Sequence, residues 1–196
     1  KVIICSNFYK ITPKTMKVLK NLSKMDQLKN LGASIDGVDK EYDWIRSNDF
    51  KTTCKTLENF YNETGKTLTI NTCVSFWNFF SLNKIVDYFK DKPYVRAISF
   101  NNVIGKTQIH SHLHIPLEIR KKQFRYYDRK WRKERLVHYE HLRSHFIKDQ
   151  KGVFNSRSKE RLFKHMETID EFRGFKLTDY CPEIKEIYDE YRNRDI

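Results

Sequence analysis

Four short apolar runs, separated by stretches of helix length, constrain this chain more than any other feature. Residues 1–5 (KVIIC), 31–35 (LGASI), 67–75 (TLTINTCVS) and 95–100 (VRAISF) are brief and rich in β-branched residues, and turn residues bound them. That pattern predicts strands. Between them Thr12 is placed to cap a helix with Pro13 at its first position, followed by Met16, Leu19 and Leu22 at spacing three. Residues 49–62 carry Phe50, Cys54, Leu57 and Tyr61 on one face, with Gly65 as a stop, and residues 81–90 start at Ser81 and bury Leu82, Ile85, Val86 and Phe89. Strand and helix alternate at intervals of about 30 to 40 residues, the length of a right-handed crossover between parallel strands. The expected fold class is therefore α/β with a parallel sheet.

Beyond residue 116 no strand pattern recurs. Helices are expected over about 117–148, 157–173 and 182–192, so the chain divides into an α/β part (1–116) and a helical extension packed on it (117–196). A hydrophobic fraction of 39% with 14% aromatics is enough for a folded core. No run approaches the roughly 20 apolar residues of a membrane span, so no membrane partner is expected.

In parallel α/β folds, ligands sit at the carboxyl ends of the strands. Here each strand exit is polar: Ser6 and Asn7, Ser34 and Asp36, Asn71 and Ser75, Asn101 and Asn102. One such exit is an ordinary turn, but four in succession point to a ligand site.

Cys5, Cys54, Cys73 and Cys181 match no compact zinc or iron–sulfur spacing and are read as reduced thiols of a cytoplasmic protein. Cys5 and Cys73, inside strand-like runs, are expected to be buried small hydrophobes. His110, His112 and His114 (HSHLH) have no cysteine or carboxylate within that run, and no metal site is assigned to them.

The net charge is +13, and residues 120–135 (RKKQFRYYDRKWRKER) hold nine Lys or Arg against two acids. Interleaved with Phe124, Tyr126, Tyr127 and Trp131, such a run can bind nucleic acid through phosphates and stacked bases. The alternative is an amphipathic helix with Phe124, Tyr127 and Trp131 buried and the cations solvated. A basic nucleic-acid-binding protein without catalysis is thus the second functional reading.

The segments SIDGVDKEYDWIR, LTINTCVSFWNFFSLNKIVDYF and ISFNNV resemble the middle and later units of radical S-adenosylmethionine (radical SAM) enzymes, which hold a 4Fe–4S cluster in a partial (β/α) barrel. CSNFYKITPKTMKVL is similar to the preceding unit, usually Thr-Asn-Gly before its helix. ETIDEFRGFKLTDYCPEI is similar to the tail of members with a twitch-type region. The resemblance implies a partial barrel of about four strands followed by C-terminal helices, in a parent that is an enzyme. It places Ser34 and Arg46 at the methionine carboxylate of S-adenosylmethionine, Asp36 near the ribose or substrate, and Asn71 and Ser75 at the ribose and amino acid parts. Asn7 falls at the Thr-Asn-Gly position, where Phe8 replaces the family's glycine.

The family's C-x3-C-x2-C cluster motif has no counterpart here. The expectation is therefore a fragment whose missing upstream units, on the same or a separate chain, hold the cluster. The substrate is a peptide or another molecule, and this chain alone is expected to be inactive and marginally stable or self-associating.

Overall fold

The computed structural model describes residues 2–102, 110–140, 142–147 and 156–193. Among these, five strands form one sheet in the order β1 (Val2–Ser6), β2 (Leu28–Ser34), β3 (Leu68–Val74), β4 (Val95–Asn102) and β5 (Val137–His138), with every neighbouring pair parallel. Each strand lies beside its predecessor, so the chain never reverses direction across the sheet. Right-handed crossovers in that order carry the connecting helices to one side. The sheet is open, with β1 and β5 at its edges.

The helices are α1 (Pro13–Lys24), α2 (Asp39–Arg46), α3 (Phe50–Thr64), α4 (Leu82–Phe89), α5 (Leu117–Trp131), α6 (Leu142–Ile147), α7 (Ser156–Arg173) and α8 (Pro182–Asn193). Thr12 caps α1 as expected, its Oγ1 accepting from Thr15 N at 3.1 Å, and Asp49 caps α3, its Oδ1 accepting from Thr52 N at 2.7 Å. Both satisfy amides that the first turn leaves unpaired. Ser81 stands at the start of α4 but makes no side-chain cap, because its hydroxyl donates to Glu41 and to the Asn78 carbonyl.

The long helix expected over 117–148 is instead α5, β5 and α6. Arg132 closes α5, and the chain turns so that Leu136 O accepts from Ile98 N at 2.7 Å, adding the two-residue β5 to the sheet. β5 gives no sequence signal because it is two residues long, too short for alternation to show, and only Val137 of the two is buried. Helix α2 was also absent from the sequence reading. It follows Gly37, where a Cβ would lie 2.8 Å from Tyr42 N, so only glycine allows this close approach.

Burial alternates along β3: Leu68, Ile70, Thr72 and Val74 are buried, while Thr69, Asn71 and Cys73 are half-buried. Leu68, Ile70 and Val74 belong to a continuous core with Leu19 of α1, Leu57 and Phe60 of α3, and Ile85 and Phe89 of α4. Toward β5, Trp131 stacks between Phe100 at 4.9 Å and Tyr127 at 4.3 Å between ring centroids. Helix α7 docks on α2 through Trp44, whose Nε1 donates to Asp170 at 2.7 Å, while Arg173 Nε donates to the Trp44 carbonyl at 3.3 Å. No helix among the described residues is long and apolar enough to cross a membrane.

Candidate functional site

The opposite face of the sheet is polar. Parallel register aligns Ser34 with Asn71, Asn71 with Ser99, and Ser99 with His138, placing one polar row across four strands. Cys5 pairs with Gly32 one step away. Both Cys5 and Cys73, expected in the core, lie on this face instead: Cys5 is exposed and Cys73 half-buried, while Cys54 and Cys181 are the buried thiols. A wholly apolar run does not reveal which of its two alternating sets faces the helices.

Asn71 Nδ2 reaches across Gly32 to Cys5 Sγ at 3.7 Å, and Ser34 Oγ lies 3.5 Å from the same sulfur. A Cβ at Gly32 would lie 2.2 Å from Asn71 Nδ2, so the glycine leaves the space that this amide occupies. Nearby, Arg96 Nη2 donates to Asn30 Oδ1 at 3.3 Å and Thr69 Oγ1 at 3.2 Å. The face encloses a cavity of about 440 Å³, with Arg96 and His138 in its lining and no carboxylate.

At the strand exits the remaining candidates turn inward. Asp36 is buried, with Oδ2 2.6 Å from Arg46 Nε and Oδ1 accepting from Cys73 N at 2.7 Å. Burial raises its pKa, and Arg46 opposes that rise. Arg46 keeps 30% of its side chain exposed, and Asp36 is its only ion-pair partner among the described residues. Ser75 is buried and donates from N and Oγ to Asn78 Oδ1 at 2.8 and 3.2 Å. Asn78 Nδ2 in turn donates to the carbonyls of Asp36 and Cys73, both at 2.9 Å, tying the exits of β2 and β3 together. Asn7 Oδ1 accepts from Tyr9 N at 3.1 Å in a short turn. Within that turn Phe8 has φ 53°, the left-handed region that favours glycine, and its ring is buried against Phe60. The structure thus places Ser34 and Asn71 on the open face, pairs Asp36 with Arg46, and gives Ser75 and Asn7 local partners.

Ser99, His138 and Asn78 were missed as site residues. Asn78 had a signal, a single amide inside the aromatic run SFWNFF that demands buried partners. The three histidines do not share one extended segment. His112 and His114 sit buried in a 3-10 turn, and His112 stacks on Phe79. His110 Nδ1 accepts from Trp77 Nε1 at 3.0 Å, and burial with nearby His165 lowers its pKa. Among the described residues no group of three His, Cys, Asp or Glu side chains is arranged to hold a metal ion.

A further buried carboxylate is Glu41 of α2, 2% exposed. It accepts from Ser81 Oγ, lies 3.8 Å from Lys84 Nζ and contacts Cys181, and burial pushes its pKa up to about 7. A second cavity, of about 490 Å³, lies between α7 and α8; of its acids Asp170 is engaged with Trp44 and Leu177, Glu167 with Tyr188 and Asp189 with Lys185, while Glu171 and Asp179 complete the lining. No family model, curated protein or solved structure matches the chain.

Proposed function

We propose that this chain forms the later β/α units of a radical SAM enzyme, a partial barrel whose open polar face is the wall against which S-adenosylmethionine lies. The observation that carries the reading is the sheet itself. It is parallel, wound in one direction, covered on one face, and lined on the other by Ser34, Asn71, Ser99 and His138. An inner wall of a barrel has that construction, whereas a doubly wound sheet is covered on both faces. Phe8 adds support, since its left-handed backbone falls where the family's Thr-Asn-Gly places glycine.

The residues present fit the polar groups of S-adenosylmethionine. Arg46 engages Asp36 through Nε, which leaves the two terminal nitrogens of its fork for a carboxylate. Asn71 and Ser34 offer an amide and a hydroxyl to ribose or amino acid groups, and their contacts to Cys5 are long enough to exchange for stronger ones. When bound, a 4Fe–4S cluster would supply the electron for S-adenosylmethionine cleavage. The residues here do not fit that cluster, because the cysteine motif is absent, so its ligands are assigned to units outside this sequence. The outer edge of β1, where Ile3 is 69% exposed, is the sheet edge on which such units would pair.

The test is anaerobic iron–sulfide reconstitution of the protein together with all residues its gene encodes and any partner encoded beside it. A 4Fe–4S absorption band with S-adenosylmethionine-dependent 5′-deoxyadenosine release is expected. A reconstituted sample with neither, and no C-x3-C-x2-C motif in those frames, overturns the reading.

A further inference from the structure

The basic run divides into two populations. Arg120 is buried, donating to the Ile115 carbonyl at 2.9 Å and the Phe146 carbonyl at 3.0 Å. Lys121 pairs with Glu118, Lys130 with Asp87 and Arg132 with Asp128, while Glu134 is taken by Lys90. Both acids of residues 120–135 are thus neutralised. Lys122, Arg125, Arg129, Lys133 and Arg135 are exposed and have no ion-pair partner among the described residues.

Their placement follows from helical geometry. At about 100° per residue, Lys122, Arg125, Tyr126 and Arg129 fall within an arc of about 100°. The buried side chains of α5, Arg120, Phe124, Tyr127 and Trp131, centre on the opposite side of the helix. Lys133 continues the cationic stripe just past the helix end. Tyr126, 41% exposed, is the aromatic ring within it.

Solvation alone does not require this separation, because cations paired with acids are equally soluble. Uncompensated like charges along one helix face repel one another, a cost that a polyanion reverses by releasing its condensed counterions. A membrane surface would call for several large apolar side chains beside the cations; of these α5 exposes Ile119 alone, at the edge of the stripe, and the ring within the stripe is a tyrosine, suited to stacking on a base. We infer that the outer face of α5, formed by Lys122, Arg125, Tyr126, Arg129 and Lys133, binds single-stranded nucleic acid. This surface is separate from the open sheet face, and its test uses no S-adenosylmethionine, so either reading can fail without the other.

The experiment is a fluorescence-anisotropy titration of labelled single-stranded RNA and DNA 12-mers against the full chain across a salt series. Four phosphate contacts predict a log–log salt slope of about −3 for a single strand. Neutralising Lys122, Arg125, Arg129 and Lys133 to Gln should flatten the slope toward zero and reduce affinity at least about tenfold. A control replacing Lys14, Lys17, Lys51 and Lys55 removes the same charge from α1 and α3 and should leave the slope unchanged. Tyr126→Leu should weaken binding about five- to tenfold at constant slope, since stacking carries no counterion term. Equal losses in the stripe and control variants would show a net-charge effect and overturn the site. So would binding to anionic vesicles in preference to the oligonucleotides, or no binding at low salt.

Discussion

Replacing Glu41 by Gln should abolish a pH dependence built into the fold. The carboxyl is 2% exposed and lies where α2, α4 and the segment entering α8 meet. Ser81, Lys84, Cys181 and Glu183 face it: the hydroxyl and ammonium favour its charge, Glu183 opposes it, and burial outweighs all of them. Its pKa rises from 4.5 to about 7. Between these values the folded protein holds a proton that the unfolded chain has released, so stability is fully present below the unfolded pKa and falls as pH rises, levelling off above about 7. At about 1.4 kcal/mol per pH unit, the full loss is about 3 kcal/mol. Glutamine keeps the carbonyl that accepts from Ser81 and cannot ionise. Urea unfolding of wild type and Glu41→Gln at about pH 5 and about pH 8.5 should show the variant's advantage widening by about 2–3 kcal/mol between the two. Parallel pH profiles, or a gap that narrows with rising pH, would refute the assignment of Glu41 as a buried group with a raised pKa.

Substitutions at three positions test the packing. Trp131→Ala should cost about 3–5 kcal/mol in urea unfolding, because the ring is buried between Phe100 and Tyr127 and leaves a large cavity. Phe8→Gly and Phe8→Ala both lose the contact with Phe60, but glycine relieves the left-handed strain, so Gly should be more stable than Ala by about 1 kcal/mol, the reverse of their usual order. Gly32→Ala should push the Asn71 amide off Cys5 with a thermal shift equivalent to less than about 1.5 kcal/mol, because the clash is with the end of a flexible side chain; alkylation of Cys5 by iodoacetamide should change rate as that contact is lost.

The sequence made legible whatever a local rule determines. The caps of α1 and α3, the first four strands and the buried stripe of α5 follow from periodicity and turn chemistry, and the structure has each of them. What it hid depended on distant partners. β5 exists because Leu136 O meets Ile98 N, and two residues carry no period of their own. Glu41 carries no local signal of burial, because Ser81 and Cys181, which close over it, lie 40 and 140 positions on. Ser34 and Asn71 were legible as polar residues inside apolar runs, although Ser34 ends β2 while Asn71 lies at the middle of β3. Ser99 and His138 join their row only through register across β4 and β5. The misplacement of Cys5 and Cys73 has the same origin, since alternation defines two faces and packing alone chooses between them.

The central claim, that the open sheet face is the ligand wall, is tested most directly by hydrogen–deuterium exchange with and without saturating S-adenosylmethionine, on the protein with all residues its gene encodes. Slower exchange is expected in peptides covering residues 31–36, 69–75 and 97–101, whose side chains alternate onto that face, while those from α7 and α8 remain unchanged. Protection confined to the helices, or no change in any strand peptide at a ligand concentration that saturates binding, would contradict the account.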